Sequence, residues 1–172
     1  FAIDLERRVD ARGYFARAWC QREAAARGLV GEMVQINVSS SARRGTRRGM
    51  HFQRTPRAEV KVVGCTRGAI YDVVLDLRED SPTYLRWDAL ELTADNRRMF
   101  YVPAGCAHGF QSLVDDAEML YFISEFYSPE HADGVRCDDP AFAIDWPLPV
   151  SEMSPADRAW PDYAGRKGDL DR

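Results

Sequence analysis

From residue 59 onward the chain alternates apolar and polar positions in short runs. Glu59-Val60-Lys61-Val62-Val63 alternates, as does the second half of Ala69-Ile70-Tyr71-Asp72-Val73-Val74-Leu75-Asp76-Leu77. Residues 86–92, 98–103 and 118–124 continue the series. These runs are rich in Val, Ile, Tyr and Phe, which suit a pleated, half-buried surface. Turn chemistry separates them at Thr66-Arg67-Gly68, Glu79-Asp80-Ser81-Pro82, Ala94-Asp95-Asn96 and Asp115-Asp116. Repeated strands at this spacing, with few helical windows, predict an antiparallel sandwich or barrel. The main helix is predicted over residues 20–27, built on Glu23-Ala24-Ala25-Ala26 and closed by Gly28. Near the C-terminus, Asp138-Asp139-Pro140 and Trp146-Pro147-Leu148-Pro149 break regular structure. Ser154-Pro155-Ala156-Asp157 then predicts a short helix with Ser154 as N-cap and Asp157 at N3. Residues 165–172 are polar and expected to fray.

With 172 residues, a single domain over 1–172 is expected, large enough for a substantial core. The composition, 45% hydrophobic and 29% charged, is that of an ordinary globular protein. No apolar run approaches the roughly 20 residues that span a bilayer, so no membrane partner is expected. The opening Phe1-Ala2-Ile3-Asp4-Leu5-Glu6 lacks the basic start and apolar core of a secretory signal. A net charge of −4 argues against a general nucleic-acid binder. Cys20, Cys65, Cys106 and Cys137 are scattered and form no C-x-x-C pair, which predicts free thiols in a reducing cytoplasm. Arg43, Arg44, Arg47 and Arg48 form a local basic cluster. It reads either as a solvated loop or as a site for a phosphorylated ligand, since guanidinium groups pair bidentately with phosphate oxygens.

Two of the three histidines lie in glycine- and aromatic-flanked segments, Arg48-Gly49-Met50-His51-Phe52-Gln53 and Pro103-Ala104-Gly105-Cys106-Ala107-His108-Gly109-Phe110. A histidine at a strand end can reach into a barrel mouth, as a metal ligand or as a base. The second segment resembles the P-x-G-x-x-H signature of the cupin barrels. Metal-binding cupins pair it with H-x-H followed by glutamate, and here Gly49 and Gln53 stand two residues either side of His51. No third ligand presents itself for a facial triad. A base with a reference pKa of ~6.5 suits proton transfer near neutrality, given a carboxylate to orient it. Tyr121 shares its strand parity with Met119 and Ile123 and is expected to face a barrel interior. It reads as a core tyrosine or as an acid. Lys61 falls on the face opposite Val60 and Val62. It reads as a surface lysine or, if that face is interior, as a charge that stabilises an oxyanion.

Taken in order, Asp10-Ala11-Arg12-Gly13-Tyr14-Phe15, Gln35-Ile36-Asn37, Arg48 to Gln53, Lys61-Val62-Val63, Tyr71 to Arg78, Ser81-Pro82-Thr83, Ala107-His108-Gly109-Phe110, Tyr121, Tyr127-Ser128-Pro129 and Trp146-Pro147 resemble the dTDP-4-dehydrorhamnose 3,5-epimerases of the cupin superfamily. The resemblance implies a mainly β fold, a cupin-type jelly-roll barrel with a few short peripheral helices. It implies a homodimer with exchanged N-terminal strands, a nucleotide-diphosphate 4-keto-6-deoxy sugar as substrate, and no metal or organic cofactor. His51 matches the catalytic base, Asp157 its carboxylate partner, Tyr121 the opposite-face acid and Lys61 the cation beside the sugar carbonyl. His108 matches a substrate contact. Arg12 and Arg48 match the residues that hold the diphosphate and nearby groups, and Gln35 and Asn37 match positions lining the nucleotide and sugar site. Tyr127 and, more loosely, Asp133 complete the substrate-binding set.

Three departures from the pattern fall on the nucleotide side. Arg17 stands where rhamnose-pathway members carry glutamate, Ala156 where they often carry lysine or arginine, and Asp133 only loosely matches an acidic ligand. The base of the nucleotide, and the choice between C3, C5 and double inversion, are left open. A metal-dependent cupin dioxygenase or isomerase using His51 and His108, and a sugar-nucleotide-binding cupin without activity, are the competing readings.

Overall fold

The computed structural model of the 172-residue chain describes residues 1–165. The strands are β1 (Ala2–Ile3), β2 (Arg8–Asp10), β3 (Gly13–Phe15), β4 (Gln35–Ser41), β5 (Arg47–Gln53), β6 (Lys61–Arg67), β7 (Ala69–Asp76), β8 (Trp87–Thr93), β9 (Met99–Val102), β10 (Cys106–Ser112), β11 (Ala117–Ile123) and β12 (Ala132–Gly134). Two short helices, α1 (Gln21–Ala25) and α2 (Pro155–Arg158), lie at the periphery. One antiparallel sheet has the order β1-β9-β6-β11-β4 and the other β12-β5-β10-β7-β8. This is the expected cupin-type jelly roll. The β2–β3 hairpin forms a separate two-stranded ribbon.

Strand alternation produces three apolar layers. Val63, Cys65, Val74, Phe100, Phe110 and Met119 fill the space between the sheets. Val60, Val62, Met99 and Tyr101 face the other way, where Trp19, Leu29 and Met33 of the N-terminal segment cover them. Met50, Val73, Leu75 and Ala107 back the second sheet, under Val135, Cys137 and Phe142 of the C-terminal segment. Both faces of β6 and β7 are therefore covered, which explains why their sequences approach continuous apolar runs.

Helix α1 stops at Ala25 rather than at residue 27. Only Ala24 is buried, and Cys20 makes no side-chain cap bond, so nothing sustains a longer helix. Strand β6 runs through Thr66 and Arg67, which leaves the turn to Gly68 at φ +74°. Strands β4, β5 and β10 escape the alternation pattern. Gln35, Asn37 and Ser39 of β4 face inward while Ile36 and Val38 point out and are exposed, and Gln111 of β10 turns to the C-terminal segment. Apart from residue 165, the tail expected to fray lies outside the described residues. All four cysteines are free, and Cys65, Cys106 and Cys137 are buried. Among the described residues, no helix is long and apolar enough to cross a membrane.

Asp76 ties the β7–β8 connection together. Its carboxylate accepts from Arg78 Nε at 2.8 Å and Nη2 at 2.7 Å, from Thr83 Oγ1 at 2.6 Å and from Ser81 Oγ at 2.5 Å. Burial pulls this carboxyl upward, but those hydrogen bonds outweigh it and hold the group well below the ordinary carboxylate range. Its folded pKa is depressed, so the unfolded chain binds more protons in the acid range. The stabilisation is complete above the ordinary carboxylate value of ~4 and fades as pH falls toward the folded value. Asp76→Ala is expected to lower the unfolding free energy by about 2–3 kcal/mol at neutral pH and to flatten the dependence of stability on pH below about 4. Urea titrations of both proteins across this range check it.

Candidate functional site

Between the two sheets opens a cavity of about 940 Å³, at the upper end for small-molecule sites. One wall comes from the inner faces of β4, β6 and β11, the other from β5 and β10. Lys61 shares its parity with Val63 and Cys65, His108 with Cys106 and Phe110, and Tyr121 with Met119 and Ile123. Each polar group thus occupies a position that pattern alone assigns to the inter-sheet core.

His51 owes its orientation to an irregularity in β5. Against β10, His51 pairs with His108 and Arg48 pairs with Phe110, so three steps on one strand match two on the other. Such a bulge re-aims side chains, and here Arg48 and His51 both reach the cavity. The bulge needs Gly49, whose φ is +104°. A Cβ there would sit 2.6 Å from Gly109 Cα and 2.6 Å from the His108 carbonyl oxygen.

Asp157 arrives on α2. Ser154 Oγ accepts the Asp157 N–H at 3.0 Å, as the N-cap reading expects. The Asp157 carboxylate turns to β5 instead, with Oδ1 2.6 Å from His51 Nε2 and Oδ2 accepting the Gly49 N–H at 3.3 Å. A carboxylate only accepts, so Nε2 carries the proton and Nδ1 is the basic nitrogen. Burial pushes the Asp157 carboxyl up, yet the His51 contact and the bonds from Gly49 and Ser154 together bring it below its ordinary value. It is therefore ionised at neutral pH and able to stabilise an imidazolium.

Lys61 is nearly enclosed. Its ammonium pairs with Glu59 Oε1 at 2.8 Å and donates to the His51 carbonyl at 3.2 Å. His108 directs Nε2 to both oxygens of the fully buried Asp72, at 3.1 and 2.9 Å. Burial raises the Asp72 carboxyl, and the opposing pull of His108 and Lys61 does not cancel it. Tyr121 lies on the same cavity wall as Lys61, on the neighbouring strand. The buried thiols are poor competitors as nucleophiles, since burial first of all pushes Cys106 up to about 12. Among the described residues, no group of three or more His, Cys, Asp or Glu side chains is placed to hold a metal ion.

The structure brings His51, Lys61, Tyr121 and Asp157 to one cavity, with His108, Arg48, Gln35, Asn37, Tyr127 and Asp133 around them. Gln35 Nε2 donates to Asn37 Oδ1 at 3.1 Å along the β4 edge. Arg48 donates to the Ser40 carbonyl at 2.9 Å. Asp133 is buried and pairs with Arg54 at 3.4 Å. Arg12 is not brought in: it lies at the β2–β3 turn, 90% exposed, paired with Asp10. Of the basic cluster, Arg47 and Arg48 line the cavity, whereas Arg43 pairs with Glu152 and Arg44 caps the Leu113 carbonyl at the surface. Sequence reasoning assigned no role to Glu59, Asp72 or Trp160, though each stands at or beside the site. A charge inside the apolar run of β7 was the available signal for Asp72, because a buried charge needs a partner.

The sequence profile described as dTDP-4-dehydrorhamnose 3,5-epimerase matches residues 1–165. A protein of that name from Sinorhizobium fredii is 46% identical over 142 residues, covering 80% of this chain and 71% of the relative. A dTDP-4-dehydrorhamnose 3-epimerase from Streptomyces niveus is 42% identical over 157 residues, covering 91% and 75%. The crystal structure of dTDP-4-dehydrorhamnose 3,5-epimerase from Bacillus anthracis, with TDP and PPi bound, superimposes with a TM-score of 0.89 at 41% identity, covering 94% of this chain and 92% of that one.

The bulge generates a stability prediction. Gly49→Ala combines a left-handed φ with a backbone clash and is expected to cost about 2–4 kcal/mol in urea denaturation. A loss under about 1 kcal/mol would mean that β5 relaxes without strain.

Proposed function

The chain belongs to the dTDP-4-dehydrorhamnose 3,5-epimerase family, and we propose that it epimerises a nucleotide-diphosphate 4-keto-6-deoxyhexose at C3, C5 or both. The default substrate is dTDP-4-dehydro-6-deoxy-D-glucose. One observation carries the reading: an oriented histidine, a phenol and a nearly enclosed ammonium line the same cavity.

The chemistry follows from the ketone at C4. It acidifies the hydrogens on C3 and C5, because the carbanion is delocalised as an enolate. His51 Nδ1 takes the proton, and the Asp157 carboxylate at 2.6 Å stabilises the imidazolium that results. Lys61 supplies positive charge for the enolate oxygen. Tyr121 returns a proton to the opposite face, which inverts the centre; the two residues then regain their starting protonation. General acid–base help of this kind contributes roughly 10²–10⁴-fold per positioned group. His108, held by Asp72, contacts the sugar, and Arg48, Gln35, Asn37, Tyr127 and Asp133 form the rest of the binding surface.

Arg12 joins the diphosphate through a second copy of the chain. On this reading the protein is a homodimer that exchanges its N-terminal strands. The exposed β2–β3 hairpin supports it, since Val9 and Phe15 are left 77% and 67% accessible. Apolar residues at that exposure suit an arm that packs on a partner. Ile36 and Val38 on the outer face of the edge strand β4 offer matching apolar surface.

Heavy-water exchange tests the proposal. Incubation with dTDP-4-dehydro-6-deoxy-D-glucose is expected to introduce deuterium at C3, C5 or both, read by proton NMR. Asp157→Asn should reduce exchange by about 10²–10⁴-fold, and His51→Ala should abolish it. Tyr121→Phe is expected to spare part of the exchange while impairing inversion. Full activity in His51→Ala would overturn the mechanism.

A further inference from the structure

The Lys61 ammonium has two partners inside the protein. It forms an ion pair with Glu59 Oε1 at 2.8 Å and donates to the His51 carbonyl at 3.2 Å. An ammonium held on two sides has little freedom to turn, and Lys61 lines the cavity. Glu59 is itself rigidly placed. It lies two residues before Lys61 and shares its parity, so both side chains face the cavity while Val60 between them packs outward. Val60 is pinned on both sides by Ser124, whose hydroxyl accepts the Val60 N–H at 2.8 Å and whose N–H donates to the Val60 carbonyl at 3.0 Å. The Glu59 and Lys61 side chains are only 9% and 11% exposed, so water screens their attraction weakly.

We infer that Glu59 is the positioning residue for Lys61: its carboxylate holds the ammonium so that one N–H faces the oxygen that becomes the enolate. The inference rests on the epimerase reading above and deepens it. Glu59 acts through Lys61 and takes no part in moving protons. A separate bond, from the ammonium to the His51 carbonyl, ties Lys61 to β5 beside the base. A flexible lysine at this position would lose the preorganisation on which oxyanion stabilisation depends.

A double-mutant cycle in the heavy-water assay tests this. Glu59→Ala is expected to lower kcat about tenfold or more, with KM for dTDP-4-dehydro-6-deoxy-D-glucose within about threefold of wild type. Glu59→Gln keeps the shape and an acceptor oxygen, so it should retain more activity than Glu59→Ala and guards against loss of fold in the alanine variant. In a Lys61→Met background, the same change at 59 should alter exchange by less than about twofold, because the group it positions is gone. Three outcomes would overturn the inference alone: wild-type kcat in both Glu59 variants, a loss confined to KM, or an equal factor in both backgrounds. A wild-type protein that exchanges no deuterium would overturn the epimerase reading and this inference with it.

Discussion

Asp157 brings a carboxylate, only 7% exposed, to within 2.6 Å of His51 Nε2. The two residues are 106 positions apart, one on β5 and the other on α2. Much of the architecture exists to make that contact. The bulge at Gly49 lifts His51 toward the cavity and offers an N–H to the same carboxylate. The C-terminal segment is tied down on the way to α2 by Gln111, which bonds both the N–H and the carbonyl of Leu148. Arg47 adds a bond to the same carbonyl and stacks on Trp146 at 4.4 Å. The Asp157 contact itself gives the imidazole both its fixed tautomer and its counter-charge.

The interior between the sheets is divided by chemistry rather than by topology. Toward one part, alternation places Val, Cys, Phe and Met, which close into a dry core. Toward the other, the same parity presents Lys61, Asp72, His108 and Tyr121. Isolated charges at such depth would be unfavourable by several kcal/mol each. The fold answers by pairing them, Lys61 with Glu59 and His108 with Asp72. Asp72 is hidden behind His108, whereas Glu59 and Lys61 both face the cavity.

The dimer reading and the nucleotide side of the site belong together. Arg12 and Arg17 both sit on the N-terminal arm, and among the described residues their ion-pair partners are local, Asp10 and Glu23. On the proposed reading, one chain supplies all the proton-transfer groups and a second copy completes the diphosphate side.

Sequence alone determined the β class, most of the strand positions from 59 onward and the Ser154 cap of α2, because period-2 alternation and capping are local. It also brought His51, Lys61, Tyr121 and Asp157 forward, three of them through resemblance more than pattern. Strands β4, β5 and β10 were legible only as motifs, since a strand that lines a polar cavity inverts the pattern by which strands are read. Glu59 and Asp72 went unassigned for a related reason: a charged residue shows its purpose only when its partner is known. Which side chains meet across 10, 36 or 106 positions was decided by register and by one bulge. Those are long-range properties of the folded sheets, fixed by how strands pair and not by any single stretch of chain.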